Sequence, residues 1–231
     1  MMVYRTRFIR GKEARYISHL ELMTAFRRTF RRARLPVTYS QGFNPHINLS
    51  MGQPLPVGMT GEGYFDLELA DEVTLDEYVG ALGSYLPPGI EVREARQISA
   101  DVKSLQAVVN TAVYLLGMKF TSPPESEEDL IRDFMGCTEI EITRHRRNKD
   151  DRKLDLRPMI YGAAVVTPGI WKFTVSTGSQ GNVRSGEITD ALAARYDEIE
   201  KIPVVNVHRE GLYVKINKSL FAPFANEVVG R

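Results

Sequence analysis

The chain has 231 residues, 43% of them hydrophobic and 26% charged, proportions of a soluble globular protein able to form one large domain or two of about 100 residues. A net charge of +1 excludes a uniformly basic or acidic molecule, yet residues 1–38 hold ten Lys or Arg against two Glu, so positive charge is concentrated at one end. The single cysteine, Cys137, excludes an internal disulfide and any cluster held by cysteines of this chain alone, and fits a small buried side chain in a reducing compartment.

The opening MMVYRTRFIR is basic but lacks the apolar core of a secretion signal, and no run approaches the roughly 18 apolar residues of a membrane span. A cytoplasmic protein without membrane contact is the expectation.

In chain order, Val3 to Ile17 alternates as a strand interrupted at Arg10-Gly11-Lys12. Ser18 and Glu21 then stand at capping-box spacing, which predicts a helix beginning near His19. Leu22, Met23, Phe26, Phe30 and Ala33 form its apolar stripe, and Pro36 is expected to stop it. Arg27, Arg28, Arg31 and Arg32 fall on the other side, with Arg34 at the flank. A merely solvated face usually mixes Glu with Lys. This one carries arginine, whose planar fork matches phosphate oxygens in two-point contacts.

A loop, Tyr39-Ser-Gln41-Gly-Phe-Asn44-Pro-His46, follows, with Tyr39, Gln41, Asn44 and His46 as candidate ligand contacts. Ile47–Met51 and Tyr64–Leu69 read as strands around a Pro/Gly-rich excursion. Thr74 and Glu77 repeat the capping-box spacing ahead of a helix that ends at Pro87-Pro88-Gly89, and Ile90–Ala95 closes the half as a strand. Strand, helix, strand, strand, helix, strand is the ferredoxin-like βαββαβ order, an antiparallel sheet with helices on one face.

The polar residues 96–106 are the linker candidate, dividing a domain at 1–100 from one at 107–231. In the second half, strands are expected at Ala107–Phe120, Thr138–Thr143, Lys153–Arg157, Ile160–Val166, Trp171–Ser176, Val204–His208 and Leu212–Ile216. Helices are expected at Glu125–Met135 and Gly186–Arg195. The fold class is therefore α+β, with a second ferredoxin-like or related domain carrying an extra hairpin.

His19, at the positive end of the first helix, is a weak catalytic candidate. It either stays neutral and acts as a general base on an RNA 2′-hydroxyl, helped by Tyr39, Ser40 or His46, or simply bonds a neighbouring carbonyl. A second basic cluster, Arg144 to Lys153 with Arg146 and Arg147 at its centre, predicts a positive hairpin and a second contact zone for a nucleic-acid backbone. Asp155 and Arg157 are spaced to pair on one strand face. No histidine spacing suits a metal, and no glycine-rich segment matches a nucleotide loop, so neither metal nor cofactor is expected.

The segment RYISHLELMTAFRRTFRRARLPVTYSQGFNPHINLSMGQPLPVGMTGEGYFDLEL, with KLDLRPMIYG and VHREGLYV further on, resembles the radical-SAM-associated protein family, a domain of unknown function. That resemblance implies a radical-SAM protein as partner, and brings no catalytic residues with it. More loosely, the layout of the first half is similar to the ferredoxin-like RNA-processing endonucleases of CRISPR systems. The expectation is a non-enzymatic accessory protein that binds RNA through the arginine helix and loop. The rivals are a metal-independent endoribonuclease using His19 and a docking module for an acidic protein partner.

Overall fold

The computed structural model describes residues 2–146, 149–179 and 181–230. The chain divides into two compact units, Met1–Asn110 with Gly211–Arg231, and Thr111–Glu210. The last stretch, expected in the second domain, thus groups with the first. The fold mixes helices with sheet in which antiparallel pairing dominates.

The first unit runs β1 (Met2–Arg10), α1 (His19–Arg32), β2 (Leu49–Met51), β3 (Thr60–Leu69), α2 (Leu75–Tyr85), β4 (Ile90–Ile98) and the short α3 (Leu105–Val108). β1 is central, antiparallel to β3 on one side and β4 on the other, and β2 adds to β3. Alternation along β1 sends Tyr4, Thr6 and Phe8 to the face covered by α1 and α2. There Phe8 meets Phe26 edge-on at 5.1 Å, Phe26 packs on Phe65 at 4.7 Å, and Tyr4 stacks on Tyr78 at 4.7 Å. Each aromatic fully buried in this cluster contributes roughly 2–3 kcal/mol of transfer free energy.

The opposite face of β1 carries Arg5, which is fully buried. Its Nε and Nη2 donate to Asp66 of β3 at 2.8 Å each, Nη1 donates to the Pro223 carbonyl at 2.8 Å, and Nη2 to the Lys103 carbonyl at 3.0 Å. The polar stretch 96–106 is therefore not a free linker. β4 reaches Ile98, Leu105 is fully buried, and one guanidinium grips Lys103. Strand character in the first segment ends at Arg10 instead of resuming at Tyr16, because Arg10 turns inward and donates to the carbonyls of Ile17, Pro56 and Met59.

The second unit contains β5 (Thr111–Gly117), α4 (Glu127–Gly136), β6 (Glu141–Arg146), β7 (Lys149–Asp155), β8 (Ile160–Thr167), β9 (Ile170–Ser176) and α5 (Ser185–Arg195). β10 (Val207–Ile216) begins in it, while β11 (Ser219–Phe221) and α6 (Asn226–Val229) belong to the first unit. Here the strand order is β10-β5-β9-β8, and β6 with β7 forms a separate two-stranded hairpin. Phe134 of α4 meets Phe173 of β9 edge-on at 6.1 Å. The two strands expected at 204–208 and 212–216 are one, with Arg209 buried in the middle. Gly211 is not a turn residue: the Tyr213 ring lies where its Cβ would stand, 2.6 Å away, so it admits a close approach within the strand.

Candidate functional site

α1 begins as its spacing predicts. Ser18 Oγ accepts from the Glu21 amide and the Glu21 carboxylate accepts from the Ser18 amide; the Ser18 side chain first, and then its amide, hold the Glu21 carboxyl below its usual range. Its end is different from the proline stop the sequence predicts. Arg34 has φ +54°, Leu35 N–H donates to the Phe30 carbonyl at 3.1 Å and Arg34 N–H to the Arg31 carbonyl at 3.1 Å. These are the two bonds of a Schellman cap, in which the left-handed residue is ordinarily glycine. An arginine held there costs on the order of 1 kcal/mol or more.

With Leu22, Phe26, Thr29 and Phe30 buried beneath it, α1 turns Arg28, Arg31 and Arg32 fully outward, Arg34 stands exposed beyond its end, and Arg27 is half-buried. Arg27, Arg31 and Arg34 follow at one-turn spacing, and Arg28 and Arg32 form a second row. Among the described residues no carboxylate, carbonyl or ring engages any of these five guanidinium groups, and the buried Nε of Arg27 has no partner. Several arginines elsewhere among the described residues are committed. Arg7 pairs with Glu62 and Glu94, Arg93 with Glu91, Arg96 with Glu94 and Arg195 with Asp133.

The chain then follows β3 (Val37 bridges Leu69) and turns out at Tyr39, which bridges Ile47. Ser40 N–H donates to the His46 carbonyl at 2.8 Å and His46 N–H to Ser40 Oγ at 3.0 Å, closing a loop whose residues 41–46 are all exposed. Gly42 supplies the φ of +124° at its tip, and next to it Phe43 is 100% exposed. Gln41, Asn44 and His46 project from this loop with no described side-chain partner, and Tyr39 is exposed at its base. Four residues separate Arg34 from Tyr39, so the base of the loop lies within about 18 Å of Arg34. Phe43 was not among the residues the sequence singled out, although an aromatic between Gly42 and Asn44-Pro45 has no periodic neighbours with which to be buried.

Arg28 and Arg32 also line a groove of about 450 Å³ between α1 and the end of α2. Thr29 forms its floor, donating its hydroxyl to the Tyr85 carbonyl at 3.1 Å. The far wall is Ser84 to Pro88, including the half-exposed Tyr85 ring. The sequence shows Pro87-Pro88 only as a helix stop, and no local spacing reveals that α2 ends against the arginine row.

His19 is half-buried with an unpartnered Nδ1, and its pKa lies below the usual value, first through burial and then through the nearby Arg10 guanidinium. At 1.5 Å per residue it stands about 18 Å along the helix from Arg31. Neither Ser40, Tyr39 nor His46 is bonded to it among the described contacts.

Three described members of the second basic cluster are paired within their own unit. Arg144 makes a two-point pair with Glu187 at 2.6 and 2.8 Å, His145 Nδ1 meets Asp151 at 2.8 Å, and Lys153 meets Glu141 at 2.7 Å. Arg147 and the side chain of Arg146 lie outside the described residues. Asp155 and Arg157 do not form the expected ion pair. Asp155 Oδ1 accepts from the backbone amides of Ile140 and Arg157, while the Arg157 guanidinium donates to the Met135 and Ile160 carbonyls. Cys137 is half-exposed, not buried, because it caps the end of α4. Among the described residues no three His, Cys, Asp or Glu side chains gather as a metal site, and no helix is long and apolar enough to cross a membrane.

The profile of a protein family described as uncharacterized and conserved in bacteria, DUF2344, matches residues 3–185, which take in α1, the exposed loop and the groove. None of the curated proteins matches the chain.

Proposed function

We propose that this chain, which belongs to the bacterial family DUF2344, is a non-enzymatic RNA-binding protein whose contact surface is the arginine face of α1 with the Tyr39–His46 loop. One observation carries the reading: five guanidinium groups on one short stretch that no acidic side chain of the described residues neutralises. Arg27 with Arg31 and Arg28 with Arg32 are like charges one turn apart, each pair costing about 0.2–0.5 kcal/mol. Arg34 adds the strain of a left-handed backbone. A surface that repels itself and strains its helix cap is accounted for by an anionic ligand. The fully exposed Phe43 in the loop that follows supports a nucleic acid in particular, since unpaired bases stack on aromatic rings while phosphates take guanidinium groups.

The resemblance of the Ser18-His19 pair, the arginine helix and SQGFNPH to the radical-SAM-associated family supports an accessory role, in which bound RNA is presented to a radical-SAM enzyme. The strand orders β4-β1-β3-β2 and β10-β5-β9-β8 support a ferredoxin-like arrangement in each unit. The endoribonuclease reading is weaker: His19 stands about a helix length from the last-turn arginines and is bonded to no second catalytic group in the described contacts.

The test is fluorescence anisotropy of the full chain with a labelled single-stranded RNA across a salt series. Four phosphate contacts give a slope of log K against log salt near −3. Replacing Arg27, Arg28, Arg31 and Arg32 by glutamate should abolish retention. Unchanged retention in that variant overturns the proposal, RNA cleavage lost in His19→Ala replaces it with the nuclease reading, and no RNA binding at low salt leaves the surface to an acidic protein partner.

A further inference from the structure

We infer that the groove between α1 and the end of α2 is a mononucleotide subsite, Arg28 and Arg32 holding a phosphate while the Tyr85 ring stacks on the base; this rests on the RNA-binding reading above. The groove's volume of about 450 Å³ lies within the range of small-ligand sites. Its lining contains two arginines and no Asp or Glu, so its charge is complementary to an anion. The other polar groups there, apart from the Tyr85 hydroxyl, are already used. The Thr29 hydroxyl donates to the Tyr85 carbonyl, the Ser84 hydroxyl donates to the Gly80 carbonyl at 2.9 Å, and Pro87 and Pro88 have no amide to give. The charged donors for a ligand in the groove are therefore the guanidinium groups, which present forked N–H pairs to phosphate oxygens, and the Tyr85 hydroxyl adds one neutral donor on the far wall.

Tyr85, 45% exposed at the end of α2, supplies an aromatic surface across the groove from that positive wall. A ring facing a pair of guanidinium groups suits a nucleotide's two parts, one planar and one anionic. No uncommitted side-chain amide or carboxylate lines the groove to read a base edge, so the subsite accepts any base. It differs from the Phe43 loop in being a recess between two helices and in requiring the phosphate.

The experiment titrates the isotope-labelled full chain with AMP, UMP and adenosine, following backbone amide shifts, with RNA anisotropy measured on the same proteins. AMP and UMP should saturate with similar affinity, moving amides of residues 25–32 and 84–88, and adenosine should not. Arg28→Gln with Arg32→Gln should weaken AMP at least tenfold and Tyr85→Ala about tenfold, while Arg132→Gln, at an exposed α4 arginine outside the groove and the arginine face, leaves AMP unchanged. Lack of AMP saturation, equal binding of adenosine, or indifference to Tyr85→Ala overturns the subsite. If AMP fails while RNA binding still depends on the arginine face, only this inference falls. If AMP binds as expected while RNA is not retained, the RNA-binding reading falls and the groove stands as a nucleotide site.

Discussion

The hydroxyl of Thr29, buried in the last turn of α1, donates to the carbonyl of Tyr85, the last residue of α2, across 3.1 Å. This bond joins the helix that carries the arginines to the wall that faces them. Thr29→Val preserves shape but leaves that carbonyl without its partner, a loss of about 1 kcal/mol. In a chain of this size the expected fall in Tm is about 2–4 °C. Affinity for RNA should fall with it, because the Tyr85 wall is no longer pinned; calorimetry and anisotropy on the same variant check both.

Arg5 and Asp66 set a second, larger dependence. Their side chains are 0% and 11% exposed, and Arg5 also satisfies the carbonyls of Lys103 and Pro223. Asp66→Ala leaves a buried guanidinium without its counter-ion and should cost about 3–5 kcal/mol. Hydrogen exchange should quicken most at residues 99–105 and 219–226, the segments Arg5 holds from the side. Slow exchange retained there would show that packing of Leu105 and Phe224 is sufficient by itself.

These two relationships mark what was legible in the sequence. The starts of α1 and α2 were readable because Ser18 with Glu21 and Thr74 with Glu77 act across three residues. The pairing of Arg5 with Asp66 spans 61 positions and that of Thr29 with Tyr85 spans 56, and no local pattern encodes either. So the polar stretch 96–106 reads as a linker, with no local sign that Arg5 holds it. Arg34 hid its role differently. A left-handed cap announces itself by glycine, and here arginine occupies the position while Pro36, two residues on, took the credit for the stop. The arginine row itself was legible by periodicity, but that its charges lack partners is a property of the folded surface around it.

Acid should weaken the fold through its histidines. Burial lowers the pKa of His19, assisted by Arg10, and burial lowers that of His208 despite the opposing Glu210. The unfolded chain, with histidine near 6.5, then binds more protons than the folded one. Stability is full above about pH 6.5 and is lost as pH falls toward the folded pKa values. Urea midpoints between pH 7 and 5 should decline more steeply for the parent chain than for His19→Gln; parallel lines would mean that His19 is as free to ionise in the fold as in the unfolded chain.

Phe43 offers the cleanest separation of binding from stability. Fully exposed at the loop tip, it contributes nothing to the core, so Phe43→Ala should leave Tm unchanged. If a base stacks on it, RNA affinity should drop about fivefold to a hundredfold, with Phe43→Trp restoring it. An alanine variant with parent affinity removes the loop from the contact surface.

Arg34 turns the same logic into a test of opposite signs. Glycine reaches φ +54° without the steric cost that arginine bears there, so Arg34→Gly should raise stability by about 1 kcal/mol even after the added freedom of the unfolded chain is charged against it. Arg28→Gln and Arg32→Gln, which relieve a one-turn repulsion, should be neutral or slightly stabilising as well. Each loses a guanidinium that would meet a phosphate, and for single-stranded RNA each lost contact should lessen the salt slope by about 0.7. Substitutions that stabilise the fold while weakening RNA binding are what a ligand-directed surface produces. A solvated charge run would show the gain in stability and no change in binding, and the expected outcome is measured by pairing urea midpoints with anisotropy at two salt concentrations.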